Sequence, residues 1–248
     1  MKNESDWKPS KYVFDQTVLR ASRDPGAVAV SSRLHVDLVA QALQATVKKH
    51  GRGRLLDLGC GKVPLYALYK PLVQTITCAD WPQSQHPLYH VDQDCDLTQL
   101  LPFADRQFDT VILTDVLEHI PTPHELLTEL NRILDADGVL IGSVPFLYRL
   151  HEEPHDYFRY TAHAIKRLAG GAGFTVLHLE PYGGGMDVIC DLLAKLVVDV
   201  HWRFGPLMAR VIQRGGAKFR RLEFGASYSG QRSDMPLGYS FVMAKGSR

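Results

Sequence analysis

Apolar runs and amphipathic stretches alternate along most of this chain. Leu55, Leu56 and Leu58 make the first short run, with Asp57 inside it. A run of this kind suits a strand covered on both faces. Residues 75–80, 108–115, 139–144 and 174–179 repeat the pattern, and 89–92 is a weaker version. Between the runs, apolar residues recur at helical spacing. Leu65, Leu68, Tyr69 and Leu72 form one such stripe, after a Pro64 suited to a first helical turn. Leu126, Leu127, Leu130, Ile133 and Leu134 mark a helix over 122–134, and another is expected over 162–170. Upstream, Ser31 or Ser32 caps a predicted helix over 33–49, whose stripe is Leu34, Leu38, Leu43 and Val47. Trp7, Tyr12, Phe14, Val18 and Leu19 predict a short amphipathic helix or lid. Asp24-Pro25-Gly26 and Asp137-Gly138 read as turns.

Strand and helix signals in strict alternation mean an α/β fold, a doubly wound and mostly parallel sheet. A late strand is expected at 239–244. The whole chain reads as one domain: an N-terminal helical segment (1–50), a core (51–182), a helical insertion (183–235), and a last strand with its tail (236–248). In the insertion, Met186, Ile189, Leu193, Leu196 and Val200 share one helical face. Asp187, Asp191, Lys195, Asp199 and Arg203 line another. The expected arrangement packs the apolar face on the core or on a second copy, giving a homodimer through 186–212. A membrane-surface element is the alternative, helped by Arg214, Lys218, Arg220 and Arg221. The acidic face weighs against it.

Composition narrows the class. The 248 residues are 45% apolar and 22% charged, as in ordinary folded proteins. A net charge of +1 argues against bulk capture of nucleic acid. The cysteines Cys60, Cys78, Cys95 and Cys190 show no paired spacing, which points to a reduced, cytoplasmic protein. Neither an N-terminal signal segment nor a membrane-spanning apolar run is expected.

The candidate chemistry gathers at the strand ends. Gly59-Cys60-Gly61 follows the first strand and lets a ligand approach the main chain. Asp57, Asp80, Asp96 and Asp115 stand at or just past four strand ends, the edge where open α/β sheets bind ligands. An acid after the second strand can accept both hydroxyls of a ribose. A nicotinamide cofactor would call for G-x-G-x-x-G, and Pro64 stands where the third glycine belongs. A ribose-bearing cofactor without phosphates, S-adenosylmethionine, fits better.

The ordered set Leu55-Leu56-Asp57-Leu58-Gly59-Cys60-Gly61, Cys78-Ala79-Asp80, 101–109, Val116-Leu117-Glu118-His119-Ile120 and 134–140 resembles class I S-adenosylmethionine-dependent methyltransferases of the type 11 group. The resemblance covers residues 54–180. It implies strand order 3-2-1-4-5-7-6 in a seven-stranded sheet with the last strand antiparallel. It implies that Asp57, Gly59 and Gly61 hold the methionine part, that Asp80 holds the ribose, and that Cys60 and Trp81 also line the cofactor site. It also places Asp96 and Leu97 at the adenine, and Thr114 and Asp115 beneath the sulfonium. The family often has glycine where Val63 stands, so a slightly different turn is expected there.

Methyl transfer to a hydroxyl needs a proton acceptor, and histidine suits that role. The segment 151–161 carries His151, His155, Asp156, Tyr157, Arg159 and Tyr160. His151 or His155 is the expected base, with His119 next. Asp156, Tyr157, Arg159 and Tyr160 are expected to touch the acceptor. The alternative is a loop that only closes over the cofactor. Resembling methyltransferases with this stretch often serve bacterial polysaccharide biosynthesis, a hint toward a sugar or glycan acceptor. The other acceptors considered are a non-sugar metabolite or a lipid-linked molecule, N- or O-methylated. Two further readings are a nicotinamide-dependent oxidoreductase and a non-catalytic cofactor-binding partner. His151-Glu152-Glu153-Pro154-His155 also spells the H-E-x-x-H zinc pattern, but Pro154 disfavours the helix that motif requires, so no metal is expected.

Overall fold

A computed structural model describes residues 1–84, 87–200, 203–223 and 234–246, with the backbone alone over 219–223. A hairpin of β1 (Tyr12–Asp15) and β2 (Val18–Ala21) precedes α1 (Arg33–His50). Then come β3 (Arg54–Leu58), α2 (Tyr66–Tyr69), β4 (Thr75–Asp80), β5 (Gln93–Asp94) and β6 (Phe108–Thr114). They are followed by α3 (Pro123–Ile133), β7 (Leu134–Pro145), α4 (Ala162–Gly171) and β8 (Phe174–Tyr182). The helices α5 (Gly185–Asp199) and α6 (Gly205–Glu223) lead to β9 (Gly238–Lys245).

The seven-stranded sheet runs β5-β4-β3-β6-β7-β9-β8. Counted from β3, this is the expected order 3-2-1-4-5-7-6. All pairs are parallel except those of β9, which is antiparallel to β7 and β8. Alternate residues of the central strands feed two cores. Leu55, Ile112, Ile141 and Val242 face α1, α2 and the hairpin. Leu56, Leu58, Val111, Leu113, Leu140 and Met243 face α3 and α4. Burial on both sides explains why these strands read as unbroken apolar runs.

The first thirty residues depart from expectation. Leu19 and Ala21 are buried at a spacing of two, and Tyr12 pairs with Ala21 from the facing strand, which makes a hairpin and not a helix. Side chains of α1 satisfy it: Leu19 N–H donates to Gln44 Oε1 (2.9 Å) and Ala21 N–H to Asp37 Oδ1 (2.8 Å). Four-residue strands are too short for their period to be distinguished in sequence. The third sheet strand lies at Gln93–Asp94 rather than 89–92. The expected turn at Asp137-Gly138 falls inside β7, where the β6–β7 register shifts.

The insertion forms helices, and its apolar face does not pack on the core. Asp187, Asp191 and Lys195 are buried (2%, 0% and 3% exposed), whereas Ile189, Leu193, Leu196 and Val200 face outward. Asp191 and Lys195 form a buried ion pair, and Lys195 Nζ lies 4.3 Å from the centre of the Tyr148 ring. Asp187 accepts from the Gly184 N–H at 3.0 Å. Arg220 and Arg221 lie outside the residues whose side chains are described. No described helix is long and apolar enough to cross a membrane.

Candidate active site

A cavity of about 980 Å³ opens at the carboxyl ends of β3, β4, β6 and β7. Its first wall is the turn after β3. Gly59 (φ +69°) and Gly61 (φ +51°) take left-handed conformations, and Gly59 N–H donates to Ala79 O at 2.9 Å. Val63 also sits at φ +51°, with a fully buried side chain. A β-branched residue in that region is strained. The turn therefore keeps a glycine-like path despite the valine, and the Trp7 indole N–H, donating to Val63 O at 3.0 Å, helps hold it.

Asp80 ends β4 and is buried. Its Oδ2 accepts from Gly61 N–H (2.5 Å) and its Oδ1 from Trp81 N–H (2.7 Å), tying two strand ends together. Asp57, also buried, accepts from the Tyr69 hydroxyl at 2.8 Å. Burial outweighs that bond and pushes the Asp57 carboxyl up to about 7. Asp96 closes a local turn by accepting from Thr98, beside a buried Leu97. Thr114 ends β6, and Asp115 follows at φ +53°. Asp115 accepts from Ser143 Oγ (2.7 Å) and meets Lys11 Nζ at 3.3 Å. Burial opposes its ionisation, yet Lys11 and Ser143 hold its carboxyl below the ordinary range. Asp57, Gly59, Cys60, Gly61, Asp80, Trp81, Asp96, Leu97, Thr114 and Asp115 all line this one cavity.

The segment after β7 forms the opposite wall. His119, His151, His155 and Tyr157 line the cavity; Asp156, Arg159 and Tyr160 do not. Arg159 is turned inward, where it grips Asp156 through both carboxylate oxygens (2.6 and 2.7 Å) and donates to the carbonyls of Tyr148 and Arg149. That clamp pulls the Asp156 carboxyl down to about 2. Tyr160 is buried and donates to Leu117 O at 3.0 Å. These three residues brace the loop and do not line the cavity, where an acceptor contact was expected of them. Residues 151–155 form no helix, and the two histidines of the H-E-x-x-H spelling separate. The His155 ring packs on Trp81, while the His151 ring packs on His119 and Tyr148.

His151 is held from two sides. Its Nδ1 lies 3.3 Å from Asp156 Oδ2 and its Nε2 3.7 Å from Glu118 Oε1. Burial disfavours the imidazolium, but the two carboxylates prevail and raise the His151 pKa. Glu118 is fully buried, and burial raises its own pKa. Neither of its carboxylate oxygens has a hydrogen-bond partner among the described residues. His119 Nδ1 donates to His155 O (2.8 Å), which leaves its Nε2 facing Glu118 at 3.7 Å. Glu118, His119 and His151 each offer a donor atom within 4.8 Å of the others, a set that could hold a divalent cation.

The sequence matches the family described as "Methyltransferase domain" over residues 31–179. The chain belongs to that family. It is a class I S-adenosylmethionine-dependent methyltransferase. None of the curated proteins matches the chain in sequence. Solved structures share its fold. A chain from the complex between the Haloferax volcanii Trm112 methyltransferase activator and a putative methyltransferase is 18% identical with TM-score 0.56, covering 89% of this chain and 96% of that one. A SAM-dependent methyltransferase from Archaeoglobus fulgidus is 16% identical with TM-score 0.53, covering 82% and 93%. The 4+2 cyclase SpnF is 21% identical with TM-score 0.54, covering 85% and 82%.

Several cavity residues of this methyltransferase escaped the sequence reading. Glu118 stands in the motif that carried the resemblance, yet His119 alone was drawn from it. An acid between two apolar residues was the available signal. Lys11 and Tyr12 arrive from the N-terminal hairpin, and His35 from α1. His35 is buried against Tyr148, ring centres 4.4 Å apart, and burial pushes its pKa down to about 3. Nothing local in the sequence links these residues to the strand ends.

Proposed function

We propose that this methyltransferase transfers a methyl group from S-adenosylmethionine to a hydroxyl of a sugar or glycan precursor, with His151 as the base. The donor set on the first wall suits the cofactor. Asp80 is a buried carboxylate that ends β4 at the cavity, the position from which an acid can accept a ribose diol. Asp57 and the main chain at Gly59 and Gly61 would hold the methionine end. Trp81, Asp96 and Leu97 would flank the base, and Thr114 with Asp115 would lie near the sulfonium. When bound, the cofactor supplies an electrophilic methyl carbon, so the protein's work is chiefly to position the acceptor.

The observation that carries the reading is His151 between Asp156 and Glu118. Asp156 orients Nδ1, and Glu118 stabilises the imidazolium formed when Nε2 takes the hydroxyl proton. His119, His155 and Tyr157 give the same wall the polar groups that a polyhydroxylated acceptor needs.

The test has two steps. S-adenosylhomocysteine at about 100 times its Kd should stabilise the protein by about 2.7 kcal/mol, roughly 5–10 °C in Tm. Asp80→Ala should abolish the shift, and an unchanged shift would overturn the ribose role. Radiolabelled methyl transfer to nucleotide sugars and oligosaccharides then tests the acceptor. Label appearing only in amines or other sugar-free compounds would refute the sugar reading.

A further inference from the structure

The α5–α6 hairpin carries its polarity the wrong way round for a helix pair facing water. Its buried side holds Asp187, Asp191 and Lys195. Its outer side exposes Ile189, Leu193 and Leu196 from α5 and Val200 just past its end, with Leu207 and Val211 from α6. Exposed apolar residues scattered singly need no explanation, but a continuous two-helix face marks a contact surface.

The charge on that face selects the occupant. Arg203, Arg210, Arg214 and Lys218 are exposed, and the last three repeat every fourth residue down α6. Like charges at that spacing repel and need a counter-charge. The hairpin exposes one described acid, Asp199, and Arg149 already occupies it at 2.8 Å. A second copy docked through the same face would bring a second set of these cations and no free described acid to neutralise either set, because a two-fold contact uses the same patch on both copies. A phosphate-bearing lipid surface supplies both an apolar layer and the missing negative charge.

We propose that the outer face of α5 and α6 docks this protein on an anionic lipid surface, lying in the interface rather than crossing it. Of the three acids that weigh against such contact in the sequence, the fold buries Asp187 and Asp191, and the exposed Asp199 is neutralised by Arg149. The opposite, buried side of the same hairpin abuts the candidate active site. Lys195 lies beneath Tyr148, a cavity residue, and Arg149–Asp199 ties α5 to the same loop. A docked hairpin therefore holds the acceptor wall of the cavity close to the lipid.

The test is flotation of the full chain with phosphatidylcholine vesicles, with and without phosphatidylglycerol. Binding is expected on the anionic vesicles only, weakening as salt rises. The double variants Leu193→Glu/Leu196→Glu and Arg210→Glu/Arg214→Glu should each cut bound protein by about tenfold. Both pairs are exposed, so the Tm and its shift with S-adenosylhomocysteine should stay as in the parent; a lost shift alone bears on the cofactor reading, not on this one. Absence of flotation on both vesicle types would overturn the proposal. So would unchanged flotation of both variants, or light scattering showing a dimer that Leu193→Glu/Leu196→Glu dissolves, which would make a second copy the occupant.

Discussion

The turn after β3 and the α5–α6 hairpin are equally clear as local patterns, yet only the first has its orientation fixed by that pattern. At Leu55–Leu58 both faces are covered, so hydrophobicity leaves no choice of side, and Asp57 and Asp80 stand out as carboxylates at strand ends. In the hairpin a helical period shows that two faces differ, but the period alone cannot say which one meets the protein. There the inward face was decided by partners: Lys195 for Asp191, the Tyr148 ring for Lys195, and the Gly184 amide for Asp187. Polar groups go inside when specific partners wait there.

Three experiments sharpen that contrast. The largest effect belongs to the cavity: His151→Ala should lower kcat by about 10²–10⁴ while leaving cofactor affinity nearly unchanged, as removal of a general base does. A drop in kcat below tenfold would move the base to His119 or His155. On the hairpin, the usual ranking of residue types should reverse. Asp191→Ala, which leaves Lys195 buried and unpaired, should cost about 3–5 kcal/mol in urea unfolding. Leu196→Ala, at 58% exposure, should stay within about 0.5 kcal/mol. Equal costs would mean that the apolar face is covered. The smallest effect is a shift in pH. A base works when unprotonated, and carboxylates raise the His151 pKa, so kcat/KM should fall on the acid side with an apparent pKa above the ordinary 6.5. Glu118→Gln removes one of those carboxylates and should move that limb to lower pH. A limb that does not move would separate Glu118 from the titration.

The sheet was legible because its strands are short apolar runs separated by helical stripes, and the order of its motifs carried the strand order with it. The strand-end acids were legible for the same reason. What stayed hidden depends on contacts distant in sequence. Lys11 meets Asp115 across 104 positions, from a hairpin too short to announce itself. Asp156, Arg159 and Tyr160 looked like acceptor contacts because polar density was all that could be read. Only the fold shows Arg159 turned onto Asp156 and Tyr160 capping a carbonyl. Val63 hid a third feature, since nothing in a valine signals a left-handed backbone.

The two outer strands of the sheet have a consequence of their own. At one border β5 is only two residues long. At the other, β8 carries Glu180 and Pro181 and a break in its ladder between Val176 and His178. Neither border offers a long, flat row of amides to a foreign strand. The molecule thus keeps its oily area on helices, which cannot template fibres, and leaves its strand borders blunt.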